Sequence, residues 1–278
     1  MRNILKFTSV LATAGLALSV AACSSSGSAD SAASADPGKP LVVVASPTPH
    51  AQILDYVKKN LADQAGLKLD VKVVTDYVTP NTAVQDGSAD ANYFQHVPYL
   101  EDFNKKQGTD IVSAGAVHLE PLGLYSKKVK AVTELKDGAE VGVPNDATNE
   151  GRALKLLAAN DVITLKSGAG TTATVQDIAS NPKHLKFKEL EAAQLPRSLG
   201  DLDAAVINGN YALDGGLKPA KDAILLEKAA GNPYANILAV KKGHENDPRV
   251  QKLAKLLASP EVKKYIEDTF NGSVIPAS

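Results

Sequence analysis

The densest run of polar residues able to do chemistry is Val143-Pro-Asn-Asp-Ala-Thr-Asn-Glu-Gly-Arg152. An apolar strand pattern ends there, a polar loop turns, and a helical pattern starts near Thr148 with Arg152 in its first or second turn. Free N–H groups at a helix N-terminus favour an anion, and a guanidinium adds a planar fork that matches a carboxylate. A cation near that end is locally unfavourable by roughly a few tenths of a kcal/mol, which a bound carboxylate would offset. The competing reading is an arginine reaching outward to a surface Asp or Glu. His50, His96 and His118 form a second constellation, because three imidazoles and a carboxylate such as Glu120 could hold zinc. No two of them stand at i, i+3 or i, i+4, so no single helix presents them together. Gly168-Ala169-Gly170-Thr171-Thr172-Ala173 matches G-x-G-x-x-A, with Glu189 and Glu191 near the spacing of a ribose-binding acid. The segment before it, Val162 to Leu165, makes a poor buried strand, so a glycine-rich loop is the simpler reading. No G-x-S-x-G elbow, H-E-x-x-H or Walker A loop is present. The chain therefore reads as a protein that is not an enzyme and needs no cofactor.

These residues need elements to hold them. Leu41 to Ala45 is a continuous apolar run of the kind that fills a buried parallel strand. Thr48-Pro49 reads as an N-cap with proline at the first helical position, and His50 to Ala65 carries Ile53, Leu54, Val57 and Leu61 at helical spacing before Gly66. Leu69 to Val74 is a second strand, so the chain opens βαβ. Further strands are expected at 91–94, 111–116, 121–126, 140–143, 185–190 and 203–207. Helices are expected at 148–159, 173–179, 248–258 and 260–269. Strands separated by helical patterns argue for an α/β protein. At 278 residues, this chain most naturally forms two α/β lobes, each a mixed sheet flanked by helices, with a cleft between them. Lobe 1 is assigned to 41–124 plus 236–278 and lobe 2 to 125–235. A net charge of −1 gives no argument for nucleic acid.

Cys23 is the single cysteine, and it ends Val20-Ala21-Ala22-Cys23 after an apolar stretch preceded by Arg2 and Lys6. The stretch is shorter than the roughly 20 apolar residues of a membrane span and has the charged, apolar and small-residue regions of a secretory signal. A cysteine at the cleavage point looks like a bacterial lipoprotein signal over residues 1–22. The Cys23 thiol would then carry the lipid, residues 23–39 would form a Ser/Ala-rich tether, and the folded part would lie outside the cytoplasm.

Several motifs in order make a wider resemblance. They are Thr75-Asp-Tyr-Val-Thr-Pro-Asn81, Ala91-Asn-Tyr-Phe-Gln-His96 with Pro98-Tyr-Leu100, Pro144 to Arg152, and Gln194-Leu-Pro-Arg-Ser-Leu199. Ala205-Val-Ile-Asn208 with Tyr211-Ala212, and Pro233-Tyr-Ala-Asn236, follow. The series resembles the NlpA/MetQ lipoproteins, the substrate-binding subunits of methionine ABC importers, from Leu41 to the C-terminus. The resemblance implies a monomeric two-lobed protein, held to the extracytoplasmic face of the cell membrane by the lipid on Cys23. It would close on methionine, in its L form, and deliver it to a permease and ATPase. Arg152 would hold the α-carboxylate, and Asn208 and Asn236 would bind the polar end. Tyr77, Phe94 and His96 would form the side-chain pocket, with Tyr93 and His118 as neighbours. The opening Ala45-Ser-Pro-Thr-Pro-His50 is less glycine-rich than the family's version, and Gln52 stands where a glutamate is usual. Two alternatives stay open. One is the same fold binding a methionine-containing dipeptide or another apolar amino acid. The other is a metal-binding lipoprotein using His50, His96 and His118.

Overall fold

The computed structural model describes residues 38–277, so the expected signal, Cys23 and most of the tether lie outside the described residues. The fold is a mixed α/β structure of two lobes. The first half of the chain supplies β1 (Leu41–Ala45), α1 (Gln52–Asn60), β2 (Leu69–Val73), α2 (Thr79–Asp86), β3 (Ala91–His96), α3 (Val97–Gln107), β4 (Ile111–Leu119), β5 (Gly123–Tyr125), β6 (Glu140–Pro144) and α4 (Ala147–Ala158). Then come β7 (Thr164–Leu165), β8 (Ile178–Ser180), β9 (Lys186–Leu190), α5 (Leu195–Ser198), β10 (Ala204–Ile207), α6 (Gly209–Asp214), α7 (Pro219–Asp222), β11 (Leu225–Leu226), β12 (Ala235–Lys241), α8 (Pro248–Leu257), α9 (Pro260–Phe270) and β13 (Ile275–Pro276).

The first lobe is built on the sheet β13-β4-β12-β3-β1-β2 and the second on β11-β5-β10-β6-β9. In the first, β1 pairs parallel with β2 and β3, whereas β12 runs antiparallel to both β3 and β4. The apolar faces of α1, α8 and α9 (Ile53, Leu54, Val250, Leu253, Val262, Ile266) cover one side. Val84 of α2 and Leu100 of α3 cover the other. In the second lobe, Leu154 and Leu157 of α4 pack one face and Leu195 and Tyr211 the opposite one. The chain passes to the second sheet between Leu119 and Gly123 and returns between Leu226 and Ala235. That first crossing falls just ahead of the expected boundary after Leu124, because β5 pairs with Ala205–Ile207 of the second sheet.

Two expectations are corrected. Thr48 is not a cap: Ser46 precedes a short turn of helix over Pro47–Ala51, and the Thr48–Pro49 bond is cis. No helix occupies 173–179, where a single turn at Val175–Asp177 leads into β8. The glycine-rich stretch before it is therefore not the strand–loop–helix of a dinucleotide site. Its Thr171 carbonyl closes over Gly151 of α4, where a Cβ would lie 2.3 Å from that oxygen. Helices α2 and α3 were not expected. Each buries a stripe too narrow to stand out, with Val84 the one large apolar buried residue in α2 and Leu100 and Phe103 those in α3. Among the described residues no helix is long and apolar enough to cross a membrane.

Candidate functional site

Three adjacent strands bring the site together from the first lobe. Asn236 of β12 pairs with His96 of β3 on one side and with His118 of β4 on the other. Register shifts on either side of Ile237 and Leu238 locally twist β12 at this point. His96 ends β3 and caps α3: its Nδ1 accepts from the Tyr99 N–H at 3.2 Å. The second lobe contributes the N-terminal turns of α4 and the start of α6. Together Tyr77, Phe94, His96, Tyr99, Glu120, Asn149, Arg152, Asn208, Asn210 and Asn236 line one narrow space between the lobes.

Arg152 is buried and projects from the second turn of α4. The N-terminus of that helix is not free for a ligand. Asp146 caps it, accepting from the Asn149 backbone N–H, from Asn149 Nδ2 and from the Thr148 hydroxyl, each at 3.0 Å. The cap also fixes the side chain of Asn149, whose Oδ1 accepts from Asn208 Nδ2 at 2.9 Å and from His96 Nε2 at 3.3 Å. Asn208 Oδ1 and Asn210 Nδ2 are buried and have no hydrogen-bond partner. Asn210 Oδ1 instead accepts from the Tyr77 hydroxyl at 2.6 Å, a bond between the lobes.

Arg152 is held firmly. Its Nε donates to Glu227 Oε1 at 3.0 Å, Nη2 donates to Glu227 Oε2, and Nη2 also reaches the Glu120 carbonyl at 2.9 Å. The guanidinium carbon lies 4.2 Å from the centroid of the Tyr234 ring. Nη1 makes no such bond and is left as the free donor of the fork. Burial alone would raise the Glu227 carboxyl, but Arg152 leaves it below its ordinary value. The guanidinium is thus a buried ion pair rather than the surface pair weighed from sequence.

Tyr77, Phe94 and Tyr99 form the aromatic wall, with Tyr77 5.8 Å from Phe94 and 5.7 Å from Tyr99 between ring centroids. Tyr93 and His118 are placed differently from the other expected site residues. Both are fully buried beneath the cavity, where the Tyr93 hydroxyl bonds His118 Nδ1. His118 Nε2 is 2.7 Å from Glu120 Oε1, and His50 Nε2 lies 3.3 Å from the same oxygen and 2.9 Å from Asn236 Oδ1. The proposed metal set of His50, His96 and His118 is not assembled, because His96 turns to Asn149. His50, His118 and Glu120 are the group that comes together. Burial holds His50 at about 4, and burial holds His96, with help from Arg152, and His118 at about 3. All three imidazoles are neutral at physiological pH. Sequence reading did not find Glu227, Tyr234, Tyr99, Asn149 or Asn210 as site residues. Asn149 sits inside the motif that flagged Arg152, but Glu227 stands 75 positions from its partner and carries no local signature.

A sequence profile described as NlpA lipoprotein matches residues 41–278. The methionine-binding lipoprotein MetQ of Bacillus subtilis is 44% identical over 266 residues, covering 93% of this chain and 94% of that protein. Membrane lipoprotein TpN32 of Treponema pallidum is 41% identical over 230 residues, 82% of this chain and 85% of that one. A solved nutrient-binding protein of Burkholderia cenocepacia, bound to methionine, matches with a TM-score of 0.83 at 48% identity, covering 86% of this chain and 100% of that one.

Proposed function

The chain belongs to the NlpA lipoprotein family, and from that premise we propose that it captures methionine outside the cytoplasm for an ABC importer. The observation that carries this reading is one buried cavity holding complements to all parts of that solute. Arg152 offers a donor for a carboxylate, Asn208 Oδ1 is an acceptor without a partner, and Tyr77, Phe94 and Tyr99 supply an apolar wall. Aromatic rings suit a thioether, at about 0.3–1.5 kcal/mol for each sulfur contact. The backbone end of the ligand lies toward Arg152, Asn208 and Asn236, and the side chain toward Tyr77, Phe94 and His96. Asn236 contributes its NH₂ group, since its oxygen is engaged by His50. Tyr93 and His118 support the floor rather than touch the solute. Cys23 carries the lipid that keeps the receptor, as a monomer, beside its permease and ATPase at the membrane. The comparisons support the reading, since relatives so named share the whole folded part of the chain.

The direct test is mass spectrometry of the solute released when the purified protein is denatured. Methionine at about one equivalent is expected; a methionine dipeptide or a different amino acid would replace the assignment. Calorimetry on ligand-free protein then separates the two ends of the site. Arg152→Ala should abolish measurable binding, because removing one partner of a desolvated charge pair costs roughly 2–5 kcal/mol or more. Phe94→Ala should weaken methionine by a smaller step of about 1–3 kcal/mol.

A further inference from the structure

Among the described residues, one buried carboxylate in the cleft has no Lys or Arg in direct contact with it. Arg152 and Glu227 neutralise each other through paired contacts. Glu120 lines the same cavity, is only 5% exposed, and meets as its ionisable partners the two imidazoles of His118 and His50. Burial holds both rings neutral, His50 at about 4 and His118 at about 3, and each turns Nε2 toward Glu120. Glu120 as a carboxylate only accepts, so the neutral His118 ring carries its proton on Nε2, which leaves Nδ1 to accept from the Tyr93 hydroxyl. His50 Nε2 faces two acceptors, Glu120 Oε1 and Asn236 Oδ1, so it too is protonated, and its Nδ1 has no partner. The Asn210 backbone N–H adds a bond and Arg152 stabilises the carboxylate from a distance, but the Arg152 ion pair is made with Glu227, so no cationic side chain contacts the Glu120 carboxylate. A buried carboxylate in that condition is costly until a cation reaches it. Asn208 Oδ1, buried and unpartnered, borders the same space.

We propose that Glu120 is the counter-charge for the ligand's α-ammonium, and so the residue that makes this site choose amino acids over acids lacking the amino group. An ammonium donates three hydrogen bonds and carries the missing charge. Glu120 and Asn208 Oδ1 are the acceptors that it would meet. The proposal rests on reading the cleft as an amino-acid site. A divalent metal is the other cation these groups could recruit, since His50, His118 and Glu120 offer ligand atoms within 4.8 Å of one another. The geometry disfavours it. The 2.7 Å between His118 Nε2 and Glu120 Oε1 is a hydrogen-bond separation. Neighbouring ligands on a tetrahedral zinc with bonds near 2.0–2.1 Å stand roughly 3.3 Å apart.

The test is calorimetry of the ligand-free full protein with methionine and with its des-amino counterpart, 4-(methylthio)butanoic acid. Wild type should prefer methionine by roughly a hundredfold or more. Glu120→Gln, nearly isosteric, should lose methionine affinity while the des-amino acid changes only severalfold, collapsing the ratio. Glu120→Asp, which keeps the charge, should restore part of it, and thermal melts establish that each variant is folded. Unchanged methionine binding by Glu120→Gln, equal loss of both compounds, or equal binding of both by wild type would overturn the proposal. Stoichiometric zinc uptake by wild type but not by Glu120→Gln would overturn it in favour of a metal. If another amino acid binds in place of methionine, the methionine assignment falls alone. The same comparison, made with that amino acid and its des-amino acid, then decides the role of Glu120. If no amino acid binds, both readings fall.

Discussion

His50, His96 and His118 lie where water cannot solvate an added proton, and burial lowers them to about 4, 3 and 3. In an unfolded chain each would titrate near 6.5. A base depressed by folding is protonated first in the unfolded state, so stability falls as pH drops from the unfolded value toward the folded one. Each ring contributes up to about 1.4 kcal/mol per pH unit across that window. Glu120 acts in the opposite sense, because burial raises its carboxyl and the folded state takes up that proton first. The urea midpoint should therefore fall steeply between about pH 6.5 and 4. His96→Gln should make that slope shallower by one histidine's share, since glutamine can still hydrogen-bond but does not titrate. An identical slope in the variant would mean that His96 is not held neutral. At this scale the sequence was informative where residues sit in a local run. Arg152, Asn208, Asn236, Tyr77, Phe94 and His96 all line one cavity. Tyr93 and His118, expected as neighbours of the pocket, are fully buried and do not line it. Strand alternation and a bend in the sheet decide which side chains of 91–96 and 111–119 reach the space, and neither is visible in a motif.

At the scale of elements, α4 does two jobs through one cap. Asp146 satisfies the first turn and at the same time holds Asn149, which in turn holds Asn208 and His96. Asp146→Ala should cost about 0.5–2 kcal/mol of stability, the usual loss for such a cap. It should also weaken methionine severalfold, because Asn208 loses its fixed partner. A stability loss in denaturant titration with unchanged affinity would break that link. Caps were also what made the C-terminal elements legible: Asp247 and Ser259 accept from Arg249 N–H and Val262 N–H, as Asp-Pro and Ser-Pro pairs suggest. The misread stretch at 173–179 shows the limit of such signals. Its small and polar residues fit a helix equally well, and only the neighbouring α4 decides against it. Glu150 Oε1 accepts from Val175 N–H at 2.9 Å, and Gly151 leaves room for the Thr171 backbone, so tertiary contact overrides local preference.

For the whole molecule, the described state is one in which the lobes already touch. Tyr77 bonds Asn210, the Tyr211 hydroxyl donates to the Thr75 carbonyl at 2.8 Å, and Arg152 reaches across to the Glu120 carbonyl. Two crossings join the sheets, which leaves hinge motion as the natural way to admit a solute to an enclosed cavity. Gly209 sits hard against Glu120: a Cβ there would stand 2.6 Å from Glu120 Cβ and 3.0 Å from its Oε2. Each lobe can fold without that contact, so Gly209→Ala should leave the melting temperature of the ligand-free protein nearly unchanged while obstructing the closed state. Ligand shifts a two-state equilibrium only through its differential affinity, and a closed state made scarce lowers apparent affinity in proportion. Wild type should therefore contract on adding methionine, as small-angle scattering would record. Gly209→Ala should keep the ligand-free radius of gyration and bind more weakly. If the variant contracted like wild type, the contact between Gly209 and Glu120 would not be what limits closure, and the hinge would have to bring the lobes together along another path.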